Sequence, residues 1–146
     1  MIYLGSDHRG FELKGKIKNW LTEWGYDFED LGPYIYNKDD DYPDAAKTVA
    51  ERVLAQKGNK GVLICGSGIG IIVAANKVKG IRAGSISTEA QVRASVNDED
   101  LNIIGLSADY TEEDVAREIV RAFIETKFSE AERHVRRVKK LAEMEK

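Results

Sequence analysis

The stretch Gly61-Val62-Leu63-Ile64-Cys65-Gly66-Ser67-Gly68-Ile69-Gly70, continuing as Ile71-Ile72-Val73-Ala74-Ala75-Asn76-Lys77-Val78-Lys79-Gly80, decides the fold. Its opening apolar run, Val62 to Ile64, is too short for a helix and fits a buried parallel strand. A cysteine and three glycines at every second position follow, and then Ile71, Ile72, Ala74, Ala75 and Val78 recur at helical spacing. The pattern predicts strand, tight turn and helix. Glycines let backbone N–H groups converge on one point, and the following helix N-terminus adds partial positive charge there. This makes an anion cradle with a thiol at its lip, in a field that favours the thiolate and hence a base or nucleophile.

The better-known glycine loops do not fit. A dinucleotide fingerprint needs G-x-G-x-x-G after a first strand, whereas here the spacing is G-x-G-x-G after a later one. A P-loop closes on Lys-Ser/Thr, and Lys77 comes too late. A cysteine phosphatase would hold phosphate with an arginine where Ile71 stands. A free cysteine is most often a small buried hydrophobe. The alternating glycines and Ser67 at a strand-to-helix turn mark Cys65 instead as a candidate catalytic group.

Reading outward, Met1 to Gly5 is a short apolar strand and Ser6 to Gly10 the turn after it. Phe11, Leu13, Ile17, Trp20 and Leu21 mark one helix face, with Gly25 as its C-cap. Tyr26 to Leu31 reads as a second strand, Gly32 to Tyr42 as an acidic loop, and Pro43 as the first turn of a helix carrying Ala46, Val49, Ala50, Val53 and Leu54 inward. Beyond the central stretch, Gly80 to Ile86 reads as strand four, Thr88 to about Val96 as a helix, and Leu101 to Leu106 as strand five. A helix beginning at Thr111 and ending near Phe128 follows, and Ser129 to Glu132 caps a last charged helix running to the C-terminus. Strand and helix alternate five times. The expected fold is α/β, a Rossmann-like doubly wound five-stranded parallel sheet of order 2-1-3-4-5 with an extra C-terminal helix. That order sets the switch point between strands one and three, with the Asp7-His8 turn beside Cys65.

The chain of 146 residues is expected to be a single domain over 1–146. Its charged fraction of 32% with net charge -3 suits a soluble protein and argues against a nucleic-acid surface. One cysteine excludes an internal disulfide, and two histidines make a zinc site a poor fit, so no metal or cofactor is expected. No signal segment or membrane-length apolar run is evident, and a cytoplasmic location is expected. In the last helix, about 129–146, Val135, Val138, Leu141 and Ala142 form a narrow apolar stripe suited to a second subunit. Arg133, His134, Arg136 and Arg137 lie on its polar face; Arg133 and Arg137, four apart, could clamp an anion or form a solvated face.

Taken together, GSDHRGFELK at the N-terminus, DYPDAA from Asp41, ICGSGIGIIVAANKVKGIRA from Ile64 and RHVRRV from Arg133 resemble the ribose-5-phosphate isomerases of type B, a family that includes the galactose-6-phosphate isomerase subunits. The resemblance spans nearly the whole chain. It implies a metal-free aldose–ketose isomerase of Rossmann-like fold, with ribose 5-phosphate and ribulose 5-phosphate as the leading substrate pair. It further implies a homodimer, or dimers paired into a tetramer, with sites shared between subunits, and no nucleic-acid or membrane partner. By position, Cys65 resembles the base moving a proton between sugar carbons, and Ser67 the assisting hydroxyl. The backbone of Gly66, Gly68, Ile69 and Gly70 would hold the enediolate oxygen. Asp7, His8 and Tyr42 match site-lining positions, and Arg133 and Arg137 match phosphate contacts.

Five positions depart from the pattern, two of them Ala131-Glu132, which stand in place of Gly-Gly before Arg133-His134. Asp98 stands where the family has a ring-opening histidine, in the loop before strand five, and Glu99 replaces the next asparagine. Asp109 stands where an arginine contacts phosphate. A protonated carboxyl can also serve ring opening, which keeps Asp98 a catalytic candidate and Glu99 a binding one. The added acid also motivates alternatives: a sugar or sugar-phosphate binding or regulatory homologue without turnover, or an isomerase of an unphosphorylated sugar. A phosphocysteine carrier also fits a thiol in an anion cradle, but ranks below these.

Overall fold

The inner strands are short runs of mostly apolar or small residues, and in the computed structural model, which describes residues 1–145, five strands form one parallel sheet. The strands are β1 (Ile2–Ser6), β2 (Phe28–Asp30), β3 (Lys60–Cys65), β4 (Ala83–Ser85) and β5 (Ile103–Ser107). Their spatial order is β2-β1-β3-β5-β4, which corrects the expected 2-1-3-4-5. The doubly wound α/β class stands; the last two strands exchange places. The cause lies in their composition. Ile103, Ile104 and Leu106 of β5 are fully buried and need cover on both faces, whereas Ala83-Gly84-Ser85 is short and half-buried, as suits an edge.

Alternation along the strands supplies two cores. Leu4, Val62, Ile64, Ile104 and Leu106 face α1 (Phe11–Trp24), α4 (Glu89–Glu99) and α5 (Glu113–Glu125), where Ile17, Leu21, Val92 and Phe123 meet them. Tyr3, Leu63, Cys65 and Ile103 face α2 (Tyr42–Leu54) and α3 (Gly70–Ala75), against Val49, Val53 and Ile71. Phe123 is fully buried, and its truncation to Ala would cost about 3–5 kcal/mol.

The helix ends follow local chemistry. Gly25 caps α1 in the left-handed conformation, φ 77°, donating to the Leu21 and Thr22 carbonyls. Pro43 sits in the first turn of α2, and Thr88 accepts the Gln91 N–H to start α4. Helix α3 stops at Ala75 rather than reaching Val78, and α5 stops at Glu125 rather than near Phe128.

The last helix, α6 (Glu132–Glu143), differs from expectation in two ways. Ala131, not Ser129, is its N-cap; Ser129 instead accepts the Ala131 N–H and faces His134. His134 is buried at 5% exposure, not on the polar face. The expected end of the helix, Lys146, lies outside the described residues. Ser129 N–H donates to the Asn97 carbonyl and Glu145 accepts the Gly80 N–H, so α6 crosses the amino edge of the sheet. Among the described residues no helix is long and apolar enough to cross a membrane.

Candidate active site

The carboxyl ends of β1 and β3 lie side by side, with Ser6 opposite Ile64 and the Asp7 N–H donating to the Ile64 carbonyl at 3.2 Å. This places the turn after β1 next to Cys65, as the switch-point argument requires. Asp7 is buried, and its Oδ1 accepts the N–H groups of Arg9 at 2.9 Å and Gly10 at 3.1 Å, fixing the 3₁₀ turn His8–Gly10. Gly10 allows the close packing: a Cβ there would lie 2.4 Å from the Ile64 carbonyl oxygen. Asp7 thus braces the turn that presents His8 and Arg9.

Cys65 is 4% exposed at the end of β3, and its carbonyl accepts the Ala108 N–H at 2.9 Å. The Gly66 carbonyl accepts both the Asp109 N–H at 3.1 Å and the Ser107 hydroxyl at 2.7 Å, tying the glycine loop to the end of β5. Gly68 adopts φ 74°, the left-handed region, and carries its backbone against Ser107. Ser67 is exposed, and its Oγ accepts the Ile69 N–H at 3.2 Å, so the loop is braced from within. Helix α3 has only six residues, so an anion at this loop would be met by loop N–H groups such as those of Gly68 and Gly70 more than by a long helix dipole, the Ile69 N–H being taken by Ser67. Ser67 and Ile69, with Ser85, Ser107 and Tyr110, line a cleft of about 380 Å³. The Tyr42 ring closes over Gly70, where a Cβ would lie 3.0 Å from the ring Cζ.

Two residues of this cluster are not singled out by the sequence reading. Asp40 accepts from His8 at both the backbone N–H (2.9 Å) and ring Nδ1 (2.8 Å). A carboxylate only accepts, so Nδ1 carries the proton and Nε2 is free to meet a ligand. The available signal is the acid run Asp39-Asp40-Asp41, but no spacing ties it to a histidine 32 positions away. Arg9 donates from Nη2 to Asp109 Oδ2, so Asp109 is paired rather than an uncompensated negative charge. Arg9 is visible in the GSDHRG motif, but its partner is 100 positions distant.

The remaining candidates form a second cluster. Asp98 and Glu99 end α4 rather than occupying a loop before β5. Asp98 Oδ1 lies 3.5 Å from His134 Nε2, and Ser129 Oγ is 2.5 Å from Nδ1 of the same ring. Burial, then the charge of Asp98, push the Glu99 carboxyl above its usual range, with His134 and Arg137 pulling the other way. Arg133 and Arg137 are exposed on α6, and Arg137 is near enough to Glu99 to pull on its carboxyl. Gly61 pairs with Ile103 and Cys65 with Ser107, so the two ends of this ladder are about 13 Å apart along the strand. Asp98, Glu99, Arg133 and Arg137 sit at the amino edge. Cys65, Ser67, Asp7, His8 and Tyr42 sit at the carboxyl edge.

This geometry can be set beside known proteins. Residues 2–141 match the family model described as Ribose/Galactose Isomerase. The chain belongs to the ribose/galactose isomerase family. A ribose-5-phosphate isomerase B of Mycobacterium leprae is 39% identical to this family member over 145 residues, covering 99% of this chain and 90% of that protein. The solved ribose-5-phosphate isomerase B of Clostridium thermocellum superposes with a TM-score of 0.94 at 40% identity, covering 99% and 96% of the two chains. The corresponding Mycoplasma genitalium structure, with bound ribulose-5-phosphate, gives 0.93 at 34% identity, covering 99% and 95%. The ribose/galactose isomerase family thus accounts for the whole fold, α6 included.

Proposed function

We propose that this chain interconverts ribose 5-phosphate and ribulose 5-phosphate through an enediolate. The observation that carries this is that Cys65 stands at the root of the Gly66–Gly70 loop, next to the Asp7-His8 turn, with Tyr42 over Gly70. The Cys65 thiolate removes the proton from the aldose carbon beside the carbonyl, and the electron pair moves to the carbonyl oxygen, giving the enediolate. Loop N–H groups stabilise that oxygen where charge develops. Ser67 relays a proton between the two oxygens, and the thiol returns its proton to the neighbouring carbon, leaving the ketose.

One chain holds the two halves of this site at opposite sheet edges. The reading therefore includes a homodimer in which Asp98, Glu99, Arg133 and Arg137 of a second copy face Cys65 of the first. Exposed Val135 (46%), Leu141 (43%) and Met144 (75%) on and beside α6 give it an apolar surface to bury. In that arrangement Arg133 and Arg137 hold phosphate, and Asp98, beside His134, exchanges the proton that opens the sugar ring.

Asp98 in the place of a ring-opening histidine favours a second reading, a sugar-phosphate binding protein without turnover. Ketose formation from pentose and hexose phosphates and from free sugars decides between them. Turnover that falls about 10²–10⁴-fold in Cys65→Ser supports the isomerase. Saturable binding with no product from any sugar supports the binder.

A further inference from the structure

We propose that Arg9 holds the anionic end of the substrate on the Cys65 side of the site, and that Asp109 positions it; this rests on the isomerase reading. Arg9 is fixed at both ends. Its backbone N–H is bound by buried Asp7 at 2.9 Å, and its guanidinium donates to Asp109. The Asp109 N–H in turn donates to the carbonyl of Gly66, the residue after Cys65. Between these anchors the guanidinium lies on Gly66 itself: a Cβ there would come within 2.6 Å of both Cζ and Nε of Arg9. Arg9, Gly66 and Asp109 interlock, and any side chain at position 66 would expel the guanidinium.

The pair is not explained by stability. The Arg9 side chain is 56% exposed and that of Asp109 31%, and an ion pair in that setting adds little to stability. What it gives is placement. A guanidinium has five N–H donors, and the bond to Asp109 engages Nη2, leaving the rest of the fork for oxygens of a phosphate. The adjoining cleft of about 510 Å³ contains one other cation, Lys16, which is engaged by Glu113 at 3.1 Å and lies 3.8 Å from Glu12. Glu12, Glu112 and Glu113 make the rest of that cleft hostile to an anion, which confines a phosphate to the Arg9 side, next to the loop bearing Cys65.

The test compares wild type, Arg9→Met, Asp109→Asn and the double variant. It reads initial rates with ribose 5-phosphate, calorimetric binding of ribose 5-phosphate and of free ribose, and thermal melting. Arg9→Met is expected to raise KM and Kd for the phosphorylated sugar about tenfold to a hundredfold, with kcat within about threefold and free ribose unaffected. Asp109→Asn is expected to raise them about threefold to tenfold, and to add nothing in the Arg9→Met background, because the two act as one unit. Unchanged affinity in Arg9→Met, or tighter binding in Asp109→Asn, overturns the proposal, the latter by showing that Asp109 only repels phosphate. A lower melting temperature with unchanged KM in both variants assigns the pair a structural role and also overturns it. Should wild type bind ribose 5-phosphate without converting it, the isomerase reading falls and the calorimetry still decides Arg9. Should wild type bind no sugar phosphate, both fall.

Discussion

Asp40 accepts two hydrogen bonds from one residue, His8, through the same oxygen: the backbone N–H at 2.9 Å and ring Nδ1 at 2.8 Å. The Tyr36 ring stands edge-on to the imidazole at a centroid distance of 6.2 Å. Backbone and ring are therefore fixed together, and Nε2 has one direction in which to meet substrate. Asp40→Ala is expected to lower kcat/KM about tenfold to a hundredfold, the loss of a charge-assisted contact. Asp40→Asn keeps an acceptor and should lose less. Steady-state kinetics on both variants checks this; equal activity to wild type would remove His8 orientation from the mechanism.

Acid sensitivity should centre on Asp30. Burial opposes its charge, but the Lys14 ammonium at 2.8 Å, the Gly32 N–H at 2.9 Å and the Lys18 ammonium at 3.0 Å outweigh it and hold its carboxyl below the usual range. Lys14 is lowered too, because its own burial exceeds the pull of Asp30. For Asp30 the folded value lies below the unfolded one, so the unfolded chain takes up a proton first as pH falls. Its contribution is complete above the unfolded value of about 3.9 and is lost as pH falls through the folded value. Urea midpoints of wild type should drop more steeply below about pH 4 than those of Asp30→Asn.

The arginines of α6 should act on charge and not on chemistry. Changing Arg133 or Arg137 to Met is expected to raise KM for a phosphorylated sugar about tenfold to a hundredfold, leaving an unphosphorylated one nearly untouched. If the site spans two copies, mixing and reassembling inactive Cys65→Ser chains with Arg137→Met chains, assayed at substrate well below the wild-type KM where the latter are weakened, creates dimers with one intact site. About half the dimers are then mixed with one good site of two, so activity recovers to about a quarter of wild type. No recovery after subunit exchange would place the whole site within one chain.

Asp98 and His134 form the remaining testable pair. Asp98→Asn keeps the size but cannot exchange a proton, so turnover should fall about 10²-fold or more, with melting unchanged. His134→Ala should also destabilise by about 1–3 kcal/mol, since His134 is buried and Ser129 loses its partner at 2.5 Å. Rates and melting curves together separate the two roles.

Much of this protein is legible in its sequence, wherever local rules apply. Gly25 ends α1 because only a residue free to take φ 77° closes that turn easily, and Pro43 begins α2 because its missing N–H has no partner to lose there. The Cys65 cradle and its neighbour, the Asp7-His8 turn, follow from strand alternation and the switch point of a doubly wound sheet. Those signals are carried by residues close in sequence, so periodicity and backbone preference suffice to read them.

The rest depends on segments that meet only in the folded chain. The exchange of β4 and β5 turns on which strand needs burial on both faces, a comparison between segments that neither one shows alone. Asp40 on His8 and Asp109 on Arg9 join positions 32 and 100 apart, and a carboxylate becomes an orienting group or a neutralised charge only through the cation that the fold brings to it. Likewise Arg133 and Arg137 carry phosphate-binding chemistry in their sequence, but α6 lies across the amino edge of the sheet while Cys65 ends β3 at the carboxyl edge. Residue type fixes what a side chain can do; the separation of those two edges, set by parallel strands all running the same way, fixes what it can reach within one chain.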